Sequence, residues 1–588
     1  MKFQNGVVSA ALAALMVLPI LEALLRKTLH TGLSGSAALV QHCTLVAGMM
    51  GAVIAARENR LPWLSTLGTL LKGRSRIAAR IFGGACAAGV SVLLAAASIQ
   101  FLGAEFRSGQ TLAYGIPLWV VESVIPAGLA LITLYLLWHA AESWTARAAT
   151  AVLAAVWVVV WSFSPLSALV ALALATFAGI PAFATLGGVA LVLFGRAGEP
   201  IASIPIAHYS LITNPALPTI PLFTLAGYLL AEGGAPRRMV RVFQALFGPL
   251  RGGAVIVTAV VCAFFTSFTG GSGVTIIALG GLLMPVLLAR HFEERAALGL
   301  ITGAGSLGML FPPCLPLILY AVVAKVPIQS MFLGGIVPGI VLLVATVMWG
   351  MLSQSRDDRD PAAAFNRTAA TEALWEAKWE LLMPVVALGA LFGGFATPVE
   401  AAALTALYAL FIETFVYRGL KLTSDVPRVM TECGLLVGGV LLIQGVALGL
   451  TNYLVDADVT AHAAEWATRT IHSPLVFLLA LNAFLLVVGC MMEIYAAIVI
   501  QAPLIVTLGA AFGIDPVHLG IVFLANLELG YLTPPVGLNL LLSSYRFNKS
   551  VPEVLRAVTP LTVVMGVGVL LITYVPALTT ALPRWLGH

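Results

Sequence analysis

This chain has little charge. Only 10% of its 588 residues are Asp, Glu, Lys or Arg, while 60% are hydrophobic. A water-soluble domain cannot cover its surface with so few charges, so soluble enzymes and soluble binding modules are excluded. Long polar connections are scarce as well. Residues 353–378 form the longest stretch without a strong apolar run, which leaves no room for an extramembrane enzyme domain. Cys43, Cys86, Cys262, Cys314, Cys433 and Cys490 are scattered through apolar runs with no Cys-x-x-Cys spacing, so they read as small core residues rather than a disulfide framework or a metal site. There is no Walker motif, no His-Glu-x-x-His and no Ser-His-Asp pattern, which argues against ATP hydrolysis and against hydrolase or metalloprotease chemistry in this chain. His139 and Glu142, at the end of an apolar run, read as water-facing groups and not as metal ligands.

What the chain has in abundance is apolar length. Windows of about 20 apolar residues, the number needed to cross a bilayer as helix, fall near 7–25, 36–56, 77–102, 117–139 and 147–162. Two short ones follow at 164–178 and 179–195, then 216–232, a long stretch at 253–290, then 295–323 and 331–352. After a polar gap come 379–395, 398–417, 432–454, a second long stretch at 474–512, then 517–545 and 557–580. The first run could pass for a signal peptide but lacks a small-residue cleavage site, so it is kept as a span. With the N-terminus in the cytoplasm and both long stretches read as hairpins that return to their own side, all of the 31 Lys and Arg except Arg26, Lys27, Arg107, Arg196, Lys325, Arg469 and Arg584 fall on the cytoplasmic side. The densest group is Arg57, Arg60, Lys72, Arg74, Arg76 and Arg80. The positive-inside rule thus favours hairpins over two further crossings, and it puts the C-terminal His588 in the periplasm.

Proline sits where a crossing should not have it. "LGMLFPPCLPLIL" (307–319) carries three prolines and a glycine inside an apolar run. Each interior proline removes a helix hydrogen bond at a cost of roughly 3 kcal/mol, and hydrocarbon offers no water to the freed groups. The break has a partner: "GMLFPP" (308–313) is answered by "GYLTPP" (530–535), and Pro338 by Pro560, both 222 positions on. "TGGSG" (269–273) near the middle of one long stretch is answered by "GCMME" (489–493) in the other, with "MP" (284–285) and "AP" (502–503) downstream. "GIPAFATLGGVALVLF" (179–194) is answered by "ATPVEAAALTALYALF" (396–411). Landmarks repeated in one order argue for duplication. Each copy holds five crossings plus a returning hairpin, so the second copy is inverted. That is the signature of a secondary transporter with sites at broken helices near the midplane. Free carbonyls at a break can ligate a cation, and the N-terminus of the following half-helix can face an anion. The expected fold is therefore an all-α polytopic membrane protein: an inverted-repeat secondary transporter with two re-entrant helical hairpins and two broken helices. Of the intramembrane acids, Glu493 at the second tip is a functional candidate. Glu400 in "TPVEAAA" reads as a packing or capping residue, and Glu22 with Arg26 as a local i,i+4 pair.

These motifs also carry a resemblance. "FTGGSGVTIIALGGLLMP" with "GSLGMLFPP", and "LELGYLTPPVGLNLLL" with "FATPVEAAALTALYAL", resemble the large membrane subunit of tripartite ATP-independent periplasmic (TRAP) transporters. Residues 1–140, notably "YGIPLWVVESVIPAG" (114–128), resemble the small four-helix subunit. The resemblance implies a small-subunit-like four-helix module at 1–140 and a linker helix at 141–163. It further implies a first large-subunit repeat at 164–353, a cytoplasmic loop at 354–378 and a second repeat at 379–588. It implies sodium-coupled, elevator-type import of an organic acid delivered by a periplasmic binding protein, across a bacterial inner membrane, by a monomeric fused chain that binds no nucleic acid and holds no covalent cofactor. Carried over residue by residue, one sodium site would use Thr266, Gly308, Phe311 and Pro312, and the second Gly489, Gly530, Thr533 and Pro534. Oxygen ligands suit such a hard cation. Substrate would meet Gly271, Ser272, Glu493 and Asn539. The tips depart from the family pattern. Thr269-Gly270-Gly271 stands where Ser-Gly-Ser is usual, and Glu493-Ile494-Tyr495 where an Asp and small hydroxyls are usual. Two other readings remain: a stand-alone sodium/dicarboxylate carrier that needs no binding protein, and, more remotely, an intramembrane enzyme.

Overall fold

The computed structural model describes residues 2–62, 73–290, 292–354 and 365–587. Lys72, both chain ends and much of the 354–378 loop, all used in the topology reading above, lie outside the described residues. Every long element among the described residues is a helix, and an isolated β bridge joins Thr111 and Pro117. This follows from the composition: a helix satisfies its own backbone groups where water is absent. Among the described residues, ten helices are long and apolar enough to cross a membrane, or up to eleven if one bent pair counts as a single span.

The chain divides into two compact units. The first comprises Met1–Pro221, Met430–Glu465 and Tyr495–Leu504. Its helices include Lys2–Thr28, Ser36–Arg57, Gly73–Ser108, Val124–Ala140, Trp144–Phe163, Pro165–Ala178 and Ala182–Ala197. The two short apolar runs at 164–195 are thus two separate helices, parted at Gly179, whose left-handed φ of 92° suits a residue without a Cβ. Small residues set the packing distance. A Cβ on Gly51 would lie 1.9 Å from the Gly434 carbonyl oxygen, and one on Gly438 would lie 2.2 Å from the Ala52 nitrogen, so helices Ser36–Arg57 and Asp425–Asp456 touch backbone to backbone there. At the polar end of the same helix, Arg57 donates to Gln4 (2.9 Å) and Asn5 (3.0 Å). Glu22 accepts from the Leu33 amide at 2.5 Å.

The second unit comprises Leu222–Val429, Trp466–Ile494 and Ile505–His588. It holds the first hairpin, Gly253–Thr269 and Ser272–Leu288, parted at Gly270 (φ 70°) and Gly271. It also holds the helix pair Glu294–Ala304 and Leu315–Ala324 with a short 3₁₀ turn between, bent by 43°. The second break separates Pro516–Gly530 from Leu538–Phe547. The Pro312–Pro313 and Pro534–Pro535 peptide bonds are both cis. The second long stretch forms helices Pro474–Met491 and Ile494–Ala511, and residues Tyr495–Leu504 of the latter cluster with the first unit.

Two features differ from the expectation set by the sequence. The run at 379–395 is divided at Leu382 into Lys378–Leu381 and Met383–Phe392. Helices Ser203–Ile212, Ala235–Phe247, Arg367–Glu376, Val459–Thr470 and Ala577–Trp585 stand where no span is expected. The strongly amphipathic Ala235–Phe247 carries Arg238 into a buried cluster: its guanidinium donates to Glu380 (2.6 Å) and Glu413 (2.8 Å) and lies over the Tyr417 ring at 3.7 Å. Glu413 stands on a π-helical turn, Ile412–Val416, the wider coil that often marks an inserted residue. Glu400 closes a capping box with Thr397, accepting from the Thr397 amide at 2.8 Å.

Candidate functional site

At the first break the chain leaves α-helix at Ala304 and resumes it at Leu315, with Phe311 extended and Pro312, Pro313 and Cys314 buried. Gly308 lies flat against the first hairpin arm. A Cβ there would stand 2.3 Å from the Ala263 carbonyl oxygen and 2.5 Å from the Ser267 nitrogen and the Thr266 Cβ, so no larger residue fits. Thr266, wholly buried, donates its hydroxyl to the Gly305 carbonyl (2.7 Å) and meets the Thr275 hydroxyl at 2.7 Å, which joins both hairpin arms to the break. The Thr266 carbonyl accepts from the Gly270 amide (2.9 Å), the Gly308 carbonyl from Phe311 (3.1 Å) and the Phe311 carbonyl from Cys314 (3.1 Å). The Thr266 carbonyl also accepts from the Cys314 thiol (3.8 Å), whereas the Gly308 and Phe311 carbonyls each keep a second lone pair beyond these bonds. Thr266, Gly308 and Phe311 therefore stand at one place. Pro312 is adjacent by sequence and buried.

The second break is built from glycine against glycine. A Cβ on Gly530 would lie 2.6 Å from the Gly489 Cα and 3.0 Å from the Cys490 nitrogen. Thr533 folds back on the end of its helix, giving both amide (3.0 Å) and hydroxyl (2.9 Å) to the Gly530 carbonyl. The Gly537 amide donates to the Cys490 carbonyl (3.1 Å), which closes the loop onto the chain segment that carries Gly489. Gly489, Gly530 and Thr533 are brought together. Pro534 is exposed, as is Pro535.

The tip residues divide. Ser272 donates to Asn539 Oδ1 at 2.7 Å, and Asn539 Nδ2 donates to the Thr302 carbonyl at 3.2 Å. The first hairpin tip is thus fastened to the half-helix that follows the second break. Gly271 precedes Ser272 in an extended conformation. Glu493 stands at the N-terminus of helix Ile494–Ala511, where the adjacent Ile494 amide donates to the Tyr531 hydroxyl at 2.6 Å, while the Tyr531 carbonyl accepts from the Asn539 amide at 3.2 Å.

Four polar groups escaped the reading of the sequence. Thr275 completes the Thr266 link. Thr302 donates to Ser543 (2.9 Å) and extends the Ser272–Asn539 seam. Asn526 donates to Asn482 at 2.7 Å, a buried pair that joins helix Pro516–Gly530 to Pro474–Met491. Glu528, one turn from the second break, is wholly buried near Cys314 of the first. Among the described residues neither of its carboxylate oxygens has a hydrogen-bond partner. An intramembrane acid is a functional signal on its own, and Glu528 lies within the stretch "LELGYLTPP". Among the described residues no group of three or more His, Cys, Asp or Glu could hold a metal ion.

A multi-pass helical protein whose helices break at paired Gly-x-x-x-Pro-Pro turns, each packed against a glycine- or threonine-bearing partner, belongs by class with membrane transporters. Comparison with known proteins makes this specific. Residues 166–578 match the family described as "Tripartite ATP-independent periplasmic transporter, DctM component", and residues 15–146 match "Tripartite ATP-independent periplasmic transporters, DctQ component". The chain belongs to this transporter family and carries both membrane components in one polypeptide. It is 33% identical over 405 residues to the C4-dicarboxylate TRAP transporter large permease protein DctM of Pseudomonas aeruginosa, covering 68% of this chain and 93% of that one. It is 34% identical over 402 residues to the isethionate TRAP transporter permease protein DctMQ of Oleidesulfovibrio alaskensis, covering 68% and 63%. To the sialic acid TRAP transporter large permease protein SiaM of Vibrio cholerae it is 30% identical over 379 residues, covering 64% and 88%. These relatives are named as transporter permeases and not as enzymes.

Proposed function

We propose that this protein imports an organic acid, a carboxylate or a sulfonate, handed over by a periplasmic substrate-binding protein and drawn inward by sodium. The relatives named for C4-dicarboxylates, isethionate and sialic acid support the substrate class, since all three are organic anions. The observation that carries the sodium reading is the pairing of the breaks: Gly308 lies against Thr266, and Gly530 against Gly489. Each arrangement sets backbone and hydroxyl oxygens in an apolar surround, the donor set a hard monovalent cation needs. The first site would use Thr266, Gly308, Phe311 and Pro312, and the second Gly489, Gly530, Thr533 and Pro534. Gly271, Ser272, Asn539 and Glu493 would face the substrate, with the Ser272–Asn539 bond opening to receive it. An elevator movement of the breaks and hairpins against the remainder of the fold would expose the site to each side in turn. The N-terminus would be cytoplasmic and the C-terminus periplasmic, with the module boundaries at 140, 163, 353 and 378 given above and one fused chain as the working unit.

Charge sets the number of ions. Each elementary charge is worth about 2.3 kcal/mol per 100 mV. Two sodium ions only neutralise a dianion, whereas a third, or two with a monoanion, make uptake inward-driven. The test is uptake into proteoliposomes with the cognate binding protein. Uptake is expected to need both sodium and that protein, with a Hill coefficient above one for sodium. Robust uptake of free substrate without the binding protein would promote the stand-alone carrier, and equal uptake in sodium-free potassium buffer would remove the sodium sites.

A further inference from the structure

A cavity of about 450 Å³ opens in the first unit, away from both breaks. Its walls come from the C-terminal ends of helices Ser36–Arg57, Val124–Ala140 and Pro165–Ala178, and from the N-terminal parts of Gly73–Ser108 and Trp144–Phe163. Consecutive crossings alternate in direction, so ends and starts that converge on one cavity lie at one face of the bilayer, whichever way the chain is inserted. The depth is marked by Trp138 and Trp144, 50% and 72% exposed and packed edge to face at 5.6 Å. Exposed tryptophans at the ends of apolar helices sit at headgroup level.

The lining is two-sided. The back wall is apolar, with Gly83, Gly84, Leu136 and Ile180. The mouth carries Arg76, Arg80 and Arg147. Arg147 is held in place: its Nε donates to the Trp138 (3.1 Å) and Ala141 (2.9 Å) carbonyls, and its guanidinium lies over the Trp138 ring at 3.9 Å. No hydrogen bond to its terminal nitrogens or ion pair to Arg76 is present among the described residues. Arg80 faces Glu142 at 3.9 Å, but the Glu142 side chain is 97% exposed, and so open a pair neutralises little. His139 is engaged elsewhere, with Nε2 at 2.8 Å from the Arg57 carbonyl. The mouth is thus cationic, with one oriented guanidinium that fits a phosphate oxygen.

We propose that this cavity is a binding site for an anionic phospholipid, its phosphodiester held by Arg76, Arg80 and Arg147 and one acyl chain lying along Leu136, Gly83 and Ile180. A basic pocket between transmembrane helices at headgroup depth has the chemistry for such a ligand. A free phosphate would satisfy the arginines and leave the apolar wall open.

The test is native mass spectrometry of the purified full chain with added phosphatidylglycerol, phosphatidylcholine or soluble glycerol 3-phosphate. Phosphatidylglycerol is expected to remain bound and phosphatidylcholine to be lost. An R76Q/R80Q variant, altered only at exposed side chains, should bind phosphatidylglycerol about 30-fold more weakly. Equal retention of the two lipids, or unchanged binding by R76Q/R80Q, would overturn the proposal. Competition by glycerol 3-phosphate at equal concentration would overturn the lipid and leave a soluble phosphate site. The wild-type protein supplies a second reading that needs no variant: its melting temperature should rise with phosphatidylglycerol more than with phosphatidylcholine, and equal shifts would also count against the site.

Discussion

Pro312, Pro313 and Cys314 of the first break are packed on all sides, whereas Pro534 and Pro535 at the matching positions of the second are exposed and Thr533 is half-buried. One sequence pattern has two surroundings. In the first, a side chain from another helix, Thr266, satisfies the carbonyl freed at Gly305. In the second, the loop looks after itself, with Thr533 bonding back to Gly530 three residues earlier. The first break is therefore coupled to the hairpin through a buried hydroxyl, and the second through a close glycine contact beside an open loop. Changes at the first should be felt as stability, and changes at the second more as ligand chemistry.

The contrast can be broken experimentally. The largest effect is expected for Gly308→Val, because the new side chain meets backbone atoms at 2.3 Å and 2.5 Å, which cannot step aside as a flexible side chain would. A loss of about 3 kcal/mol or more is expected, read as a collapsed melting temperature in detergent. A well-folded Gly308→Val would mean that the first break is not tightly packed. Next comes Thr266→Val, which keeps the shape and removes the hydroxyl that serves Gly305 and Thr275. A buried carbonyl left without its donor costs about 1–3 kcal/mol. Thr533→Ala should cost less, about 1 kcal/mol, because its bond is local and part-exposed. Its larger consequence should be a higher sodium concentration for half-maximal uptake, and a melting loss greater than that of Thr266→Val would reverse the comparison. The smallest effect is expected for Glu528→Gln. It keeps the size of a side chain that has no hydrogen bond to lose among the described residues, so stability should stay within about 0.5 kcal/mol of wild type, read as a nearly unchanged melting temperature. A large drop would reveal a partner that binds the carboxylate as a charge.

The breaks were legible because glycine and proline act locally: Gly-x-x-x-Pro-Pro dictates backbone wherever it stands. The hairpin turn at Gly270–Gly271 was legible for the same reason. Ala235–Phe247 was not, because its three arginines, Arg237, Arg238 and Arg241, dilute any apolar window although its other face is buried. Nor was the Ser272–Asn539 seam, whose members are 267 positions apart and meet only through tertiary packing. Ser272 and Asn539 could be picked singly as tip and half-helix residues, but their bond could not. Glu528 gives no signal in the sequence beyond its own charge, because the adjacent glycine and prolines dominate the motif.

The contact between Gly51 and Gly438 has a consequence for how the protein could be divided. Two backbones in touch have no slack to slide, and their grip does not depend on the covalent connection through residues 141–163. That connection fixes a one-to-one stoichiometry and a high effective concentration of each part for the other. A gene split within that segment should therefore still yield two polypeptides that copurify, at expression levels high enough to replace the lost tether, and widening Gly51 to leucine should separate them.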